Sequence, residues 1–158
     1  MIREEIGDKY GMELSLNNIG AVHGVMGDLD ATLNYIGRSL AIAEELGDKH
    51  GMGMSLGNIG IVYWNKGDYD KALNYIGRSL AIQEEIGDKH GMGHSLLGIG
   101  IVHSNKGDYD KALNYYERSL AIQEEIGDKH GMGMSLGNIG IVHSDKGDLD
   151  KALDYYAR

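Results

Sequence analysis

Over residues 69–86 the apolar positions fall on one side of a helix. Leu73, Ile76 and Leu80 keep an i, i+3, i+7 spacing with Ala72 and Ser79 beside them, and Lys71, Asn74, Arg78 and Glu85 take the other side. This predicts an amphipathic helix with one buried stripe. The segment before it, residues 49–66, predicts a helix of another kind. Met52, Leu56, Ile59 and Tyr63 form one apolar stripe; Met54, Gly57, Ile61 and Trp64 form a second. A helix apolar on two sides is either sandwiched between neighbours or lines a binding surface. Gly67-Asp68 separates the two helices and Gly87-Asp88 follows the second. Glycine suits the left-handed residue that ends a helix, and aspartate suits the cap of the next.

This helix pair is one unit of a series. Residues 51–90 return as 91–130 with 33 of 40 positions unchanged, return again from 131 to the last residue, and have a more diverged copy at 11–50. A period of that length predicts a repeat array, in which each unit buries its apolar face on its neighbours. The expected organisation is one array over 1–158. Residues 1–9 are a partial second helix, 10–49, 50–89 and 90–129 are full repeats, and 130–158 is a truncated one. Ile2 to Asp8 matches Ile82 to Asp88, and Arg158 stands in register with Arg38, Arg78 and Arg118. With no polar capping helix visible at either end, two expectations follow: a piece of a longer array, or end-to-end self-association. The latter is a heterologous contact, which builds fibres rather than closed dimers.

Glycine is abundant, at 25 residues, and it recurs at fixed places in the repeat, including Gly51, Gly53, Gly57 and Gly60 inside one helix. Each interior glycine gives up as much as ~1 kcal/mol of helix propensity against alanine. Close approach between helices is the expected compensation, with Gly60 meeting Ala72. The chain has no Cys, which excludes disulfides and thiolate chemistry. Its formal charge of -9 argues against nucleic acid as the partner and permits a basic protein one. No charged-then-apolar leader and no apolar run of about 18 residues is present, so neither a signal peptide nor a membrane span is expected. A soluble, cytoplasmic protein with no membrane partner is the expectation.

The series Leu56, Ile59-Gly60, Tyr63, Gly67-Asp68-Tyr69, Ala72-Leu73, Ile76 and Ser79-Leu80 resembles the tetratricopeptide repeat. The period is 40 rather than the common 34, and the Glu84–Asp88 stretch replaces the usual helix-ending proline. The longer form is similar to the repeats of Pins-type adaptors and, less closely, of kinesin light chains. The resemblance implies an all-α fold: a right-handed superhelical solenoid of antiparallel helix pairs, about four 40-residue repeats long. It also implies a protein–protein interaction scaffold, with no cofactor, in which the first helix of each repeat lines a concave groove for a peptide. The implied lining is Asn18 in the first repeat; Met54, Asn58, Ile61, Trp64 and Asn65 in the second; His94, Leu97, Ile101 and Asn105 in the third; and Met134, Asn138 and Ile141 in the fourth. Asn18, Asn58 and Asn138 match the family's asparagine that bonds a ligand backbone, and Gly98 breaks the series. No basic residue stands where a carboxylate-terminus clamp would need one. An amphipathic or apolar segment, with basic flanks favoured by the net charge, fits this lining.

Catalytic chemistry is not expected. Glu84, Glu85, Asp68 and Asp70 recur from repeat to repeat, as capping and solvated residues do, whereas a catalytic pair is needed once. Among seven histidines, His23, His103 and His143 take the place of Tyr63 and read as packing residues; His50, His90 and His130 read as solvated first-turn residues. Only His90 and His94 have the i, i+4 spacing of metal ligands. No third ligand is evident from spacing, so no metal site is expected.

Overall fold

The computed structural model describes residues 8–158, and the expected partial helix over residues 1–9 lies almost wholly outside them. Aspartate begins each first helix. Asp8, Asp48, Asp88 and Asp128 accept the N–H of Gly11, Gly51, Gly91 and Gly131 at 2.8, 3.1, 2.9 and 3.0 Å. They open α1 (Lys9–Val25), α3 (Lys49–Asn65), α5 (Lys89–Asn105) and α7 (Lys129–Asp145). The second helices are α2 (Leu29–Leu46), α4 (Tyr69–Ile86), α6 (Tyr109–Ile126) and α8 (Leu149–Tyr156). Among the described residues there are eight helices and no strand. Every corner turns on a glycine with φ between 66° and 81° (Gly27, Gly47, Gly67, Gly87, Gly107, Gly127 and Gly147), the left-handed conformation that a side chain resists.

The chain divides after Ile86 into two units. In the first, α1 pairs with α2 and α3 with α4; in the second, α5 pairs with α6 and α7 with α8. The pairing is antiparallel, because Ser79 Oγ donates to the Gly53 carbonyl at 2.7 Å while Gly60 lies against residues 72–76. Ser39 and Ser119 make the same bond to the carbonyls of Glu13 and Gly93, at 3.0 and 2.8 Å. A buried hydroxyl thus clasps each of these three pairs, contributing about 1 kcal/mol apiece.

The glycine contact differs in detail from the expectation. A methyl group built at Gly60 would stand 2.5 Å from Ile76 Cγ1 and 3.3 Å from the Ala72 carbonyl oxygen. The Ile76 side chain therefore occupies the space, and Ala72 contributes its backbone. The same socket recurs: Gly20 receives Ile36, Gly100 receives Tyr116 and Gly140 receives Tyr156. Around it the core of the first unit gathers Leu16, Ile36, Leu56, Ile59, Val62 and Ile76, all buried. That of the second gathers Leu97, Ala112, Tyr116, Leu136, Ile139 and Val142.

Aromatic residues cover one edge of each pair. His23 stacks on Tyr35, Tyr63 on Tyr75, His103 on Tyr115 and His143 on Tyr155, with centroids 5.2–5.6 Å apart. Arg38, Arg78, Arg118 and Arg158 lie over the outer tyrosine rings at 5.3–5.8 Å. The three histidines are packing residues, as their register with Tyr63 implied.

Two predictions follow from the packing. Gly60→Val forces a branched side chain into the space of Ile76 and is expected to destabilise by about 1–3 kcal/mol. Gly77 sits mid-helix with nothing within 4 Å of a built Cβ, and the third repeat carries Glu117 at that place. Gly77→Ala is therefore expected to stabilise by about 0.5–1 kcal/mol, so thermal unfolding should move in opposite directions for the two variants. The second prediction concerns Tyr116, which is 1 % exposed. Burial pushes its phenol up to about 12, against a small opposing hydrogen bond from Ser104. Its raised value leaves stability intact below the unfolded tyrosine value near 10. Stability should then fall by on the order of 2–3 kcal/mol as pH rises from there through the folded value. Absorbance titration should show one of the ten tyrosines ionising only near pH 12 or on unfolding.

Candidate functional site

The two apolar stripes of α3 have different fates. Leu56 and Ile59 point into the core, with Met52 and Tyr63 half-buried beside them. The second stripe is displaced around the helix and stays open. Met54 is 41 % exposed and Ile61 49 %, Trp64 and Asn58 are half-buried, and Asn65 is exposed. Positions 54, 58, 61 and 65 are one helical line, so the first unit presents an apolar strip with amides set into it.

Asn58 Nδ2 donates to Asn17 Oδ1 at 3.1 Å. Asn58 thus meets the buried Asn17 across neighbouring first helices, and Asn18, expected in the groove lining, is exposed one position on. Asn17 Nδ2 is buried without a hydrogen bond.

The second unit presents a similar line on α7. Met134 is 38 % and Ile141 48 % exposed, and Asn138 between them donates to the Met134 carbonyl of its own helix at 2.8 Å. On α5, His94 and Asn105 are exposed and Ile101 is half-buried against the core. Leu97 is only 3 % exposed and belongs to the core cluster. It stands where the second and fourth repeats have Gly57 and Gly137, and it fills its place inward rather than facing a ligand.

Surface charges form pairs of modest strength. Lys66 Nζ meets Asp30 at 2.6 Å and Lys146 meets Asp110 at 2.7 Å, and these hydrogen bonds hold both carboxyls below the usual range. Lys9–Glu45, Lys49–Glu85 and Lys89–Glu125 join the start of a first helix to the end of its own second helix. At such exposure solvent screens these pairs and each adds little to stability.

Spacing left His90 and His94 without a third companion. The structure supplies one: Asp128, the cap of α7, brings a carboxylate oxygen within 4.8 Å of a nitrogen on each ring. Spacing along one helix could not reveal a residue contributed by the next. The repeat could have: each aspartate cap is 38 residues beyond a residue at the position of His90.

Among the described residues no helix is long and apolar enough to cross a membrane. The family model for the tetratricopeptide repeat matches residues 11–85 and 91–158. No curated protein sequence matches the chain. Solved structures similar to it include BtubC from P. vanneervenii, with a TM-score of 0.84 and 18 % identity over 96 % of this chain and 63 % of that one. A Rap protein complexed with Competence and Sporulation Factor gives 0.86 at 18 % identity, covering 96 % of this chain and 42 % of that one. A signal transduction ATPase from Pyrococcus horikoshii with a tetratricopeptide repeat sensor gives 0.83 at 20 % identity, covering 94 % and 23 %. The chain thus spans less than two thirds of each, and at these identities the likeness is one of fold.

Proposed function

The chain belongs to the tetratricopeptide repeat family, and from that footing we propose that it is a non-enzymatic scaffold whose first helices hold a peptide segment of another protein. The observation that carries this reading is the open stripe of α3, where Met54 and Ile61 are each more than 40 % exposed beside a half-buried Trp64. Methionine adapts to varied partners, and a half-buried tryptophan offers a large contact at little entropic cost. Met134 and Ile141 on α7 repeat the arrangement. The fold supports the reading by analogy, since a Rap protein of similar fold is complexed with Competence and Sporulation Factor. An amphipathic helix or apolar extended segment with basic flanks suits an apolar strip on a chain of charge -9. His94, Ile101, Asn105 and Asn138 would add contacts, and Asn58 and Asn65 the amide rungs, while Leu97 has no surface to give.

Trp64 is the sole tryptophan, so its emission reports on this face. Titration with a panel of amphipathic peptides carrying Lys/Arg flanks should produce saturable change for at least one of them. Ile61→Asp is expected to weaken that peptide about tenfold or more, with the far-ultraviolet dichroism unchanged. Undiminished affinity in the variant, or silence across the panel, would remove the α3 face from consideration.

A second reading, self-association, draws on a separate observation. Leu149 and Leu153 on α8 are 61 and 66 % exposed, and Tyr156 is 54 % exposed. Light scattering over a wide concentration range separates the readings. A mass that climbs without plateau, and is arrested by Leu153→Glu, favours assembly; a constant mass near 17.2 kDa removes it.

A further inference from the structure

His90, His94 and Asp128 lie together on the second unit, and they come from two helices. His90 and His94 are one turn apart on α5, with ring centroids 4.7 Å apart and a 46° tilt. Asp128 stands at the start of α7 with Oδ2 4.0 Å from His90 Nε2. One potential ligand atom from each residue lies within 4.8 Å of the other two. A tetrahedral zinc site with bonds near 2.0–2.1 Å has neighbouring ligand atoms about 3.3 Å apart. The remaining gap is on the order of 1 Å, from 4.8 Å at most toward the tetrahedral separation, and both histidines are exposed.

We propose that His90, His94 and Asp128 form a binding site for a divalent transition metal of the zinc class, bridging α5 and α7.

The donor set selects the metal. Two imidazoles and one carboxylate suit a borderline cation; calcium and magnesium ask for oxygen ligands alone, and copper(I) for sulfur. Asp128 is already oriented, because its Oδ1 accepts the Gly131 N–H at 3.0 Å while Oδ2 faces the histidine. A backbone N–H held to one carboxylate oxygen in this way fixes how the other oxygen faces a metal. That same bond, ahead of the nearby histidines, holds the Asp128 carboxyl below its usual range. Burial first and the neighbouring His90 second hold the His94 imidazole below the ordinary histidine value, despite the opposing pull of Asp128. His130, two residues beyond Asp128, also acts electrostatically on both groups. Three protein ligands leave a fourth position for water or for a group brought by a partner.

The repeats supply the control. His50 and His130 occupy the place of His90, and each first helix carries an aspartate cap, but the place of His94 is Met54 in α3 and Met134 in α7. The triad therefore depends on one residue that the near-identical copies lack. His94 is shared with the proposed peptide face, but metal binding is read on the chain alone, so failure of either reading is distinguishable from failure of the other.

The test is calorimetric titration of the full chain with Zn2+ in a non-chelating buffer, beside His94→Met and Asp128→Asn. The first variant installs the residue that α3 and α7 already carry there, and the second keeps an oxygen for the cap. The expected result is one tight zinc ion per chain and a Tm that rises with Zn2+. Loss of a ligand should weaken binding at least as much as loss of an outer-shell partner does, about 10–100-fold, with helical dichroism retained. Binding of equal strength in wild type and His94→Met, or no saturable binding in the wild type, would overturn the proposal. A stoichiometry well above one, unaltered in both variants, would do the same by reducing the histidines to scattered surface groups.

Discussion

The close approach of paired helices at Gly20, Gly60, Gly100 and Gly140 is the constraint on which the rest depends. Each glycine admits a large side chain from sixteen residues further along, and no Cβ fits beside it. This places the second helix so near the first that a serine hydroxyl reaches a main-chain carbonyl across the gap. It also sets the aromatic stacking at the pair's edge. In the first three pairs the helix propensity lost at the glycine, up to ~1 kcal/mol, is offset by the burial of Ile36, Ile76 or Tyr116, roughly 1.5–3 kcal/mol per large apolar side chain. The guest can change: Ile36 and Ile76 serve in two repeats, Tyr116 and Tyr156 in the others. The glycine does not.

The sequence made most of this visible because its punctuation and its periodicity agree. The apolar triplet of Leu73, Ile76 and Leu80 between two Gly-Asp corners predicts a helix over 69–86, and α4 has those bounds. The first helix ends at Asn65, one residue short of the expectation, where Lys66 becomes its cap. The open side of α3 was readable as well, because two stripes cannot both face one partner. Contacts between neighbouring first helices were not readable. Asn58 meets Asn17 across neighbouring first helices, and Asp128 reaches His90 from the next repeat. Both outcomes depend on how far one helix slides past another, which spacing along a single helix does not encode. Leu97 shows a related limit. A glycine at the equivalent place in the sister repeats leaves open whether a larger residue would turn outward or inward, and packing turned it inward.

Recurrence also separates architecture from specificity. The caps, corner glycines, sockets and buried serines return in repeat after repeat, as scaffolding must. The positions that change between near-identical copies lie largely on the first helices: Met54 against His94, Gly57 against Leu97, Asn58 against Gly98, Trp64 against Ser104. Of these, only the leucine was taken into the core. The scaffold therefore leaves that side of the first helices chemically adjustable while the framework stays fixed.

The lysine at the head of each first helix and the glutamate near the tail of its second are thirty-six residues apart in three successive pairs: Lys9–Glu45, Lys49–Glu85 and Lys89–Glu125. Each bond begins and ends inside one period. Recombination that adds or removes a whole period restores every such bond intact, whereas a break at any other length strands one partner. The array can thus lengthen or shorten in steps of one repeat without stranding a charge of this ladder.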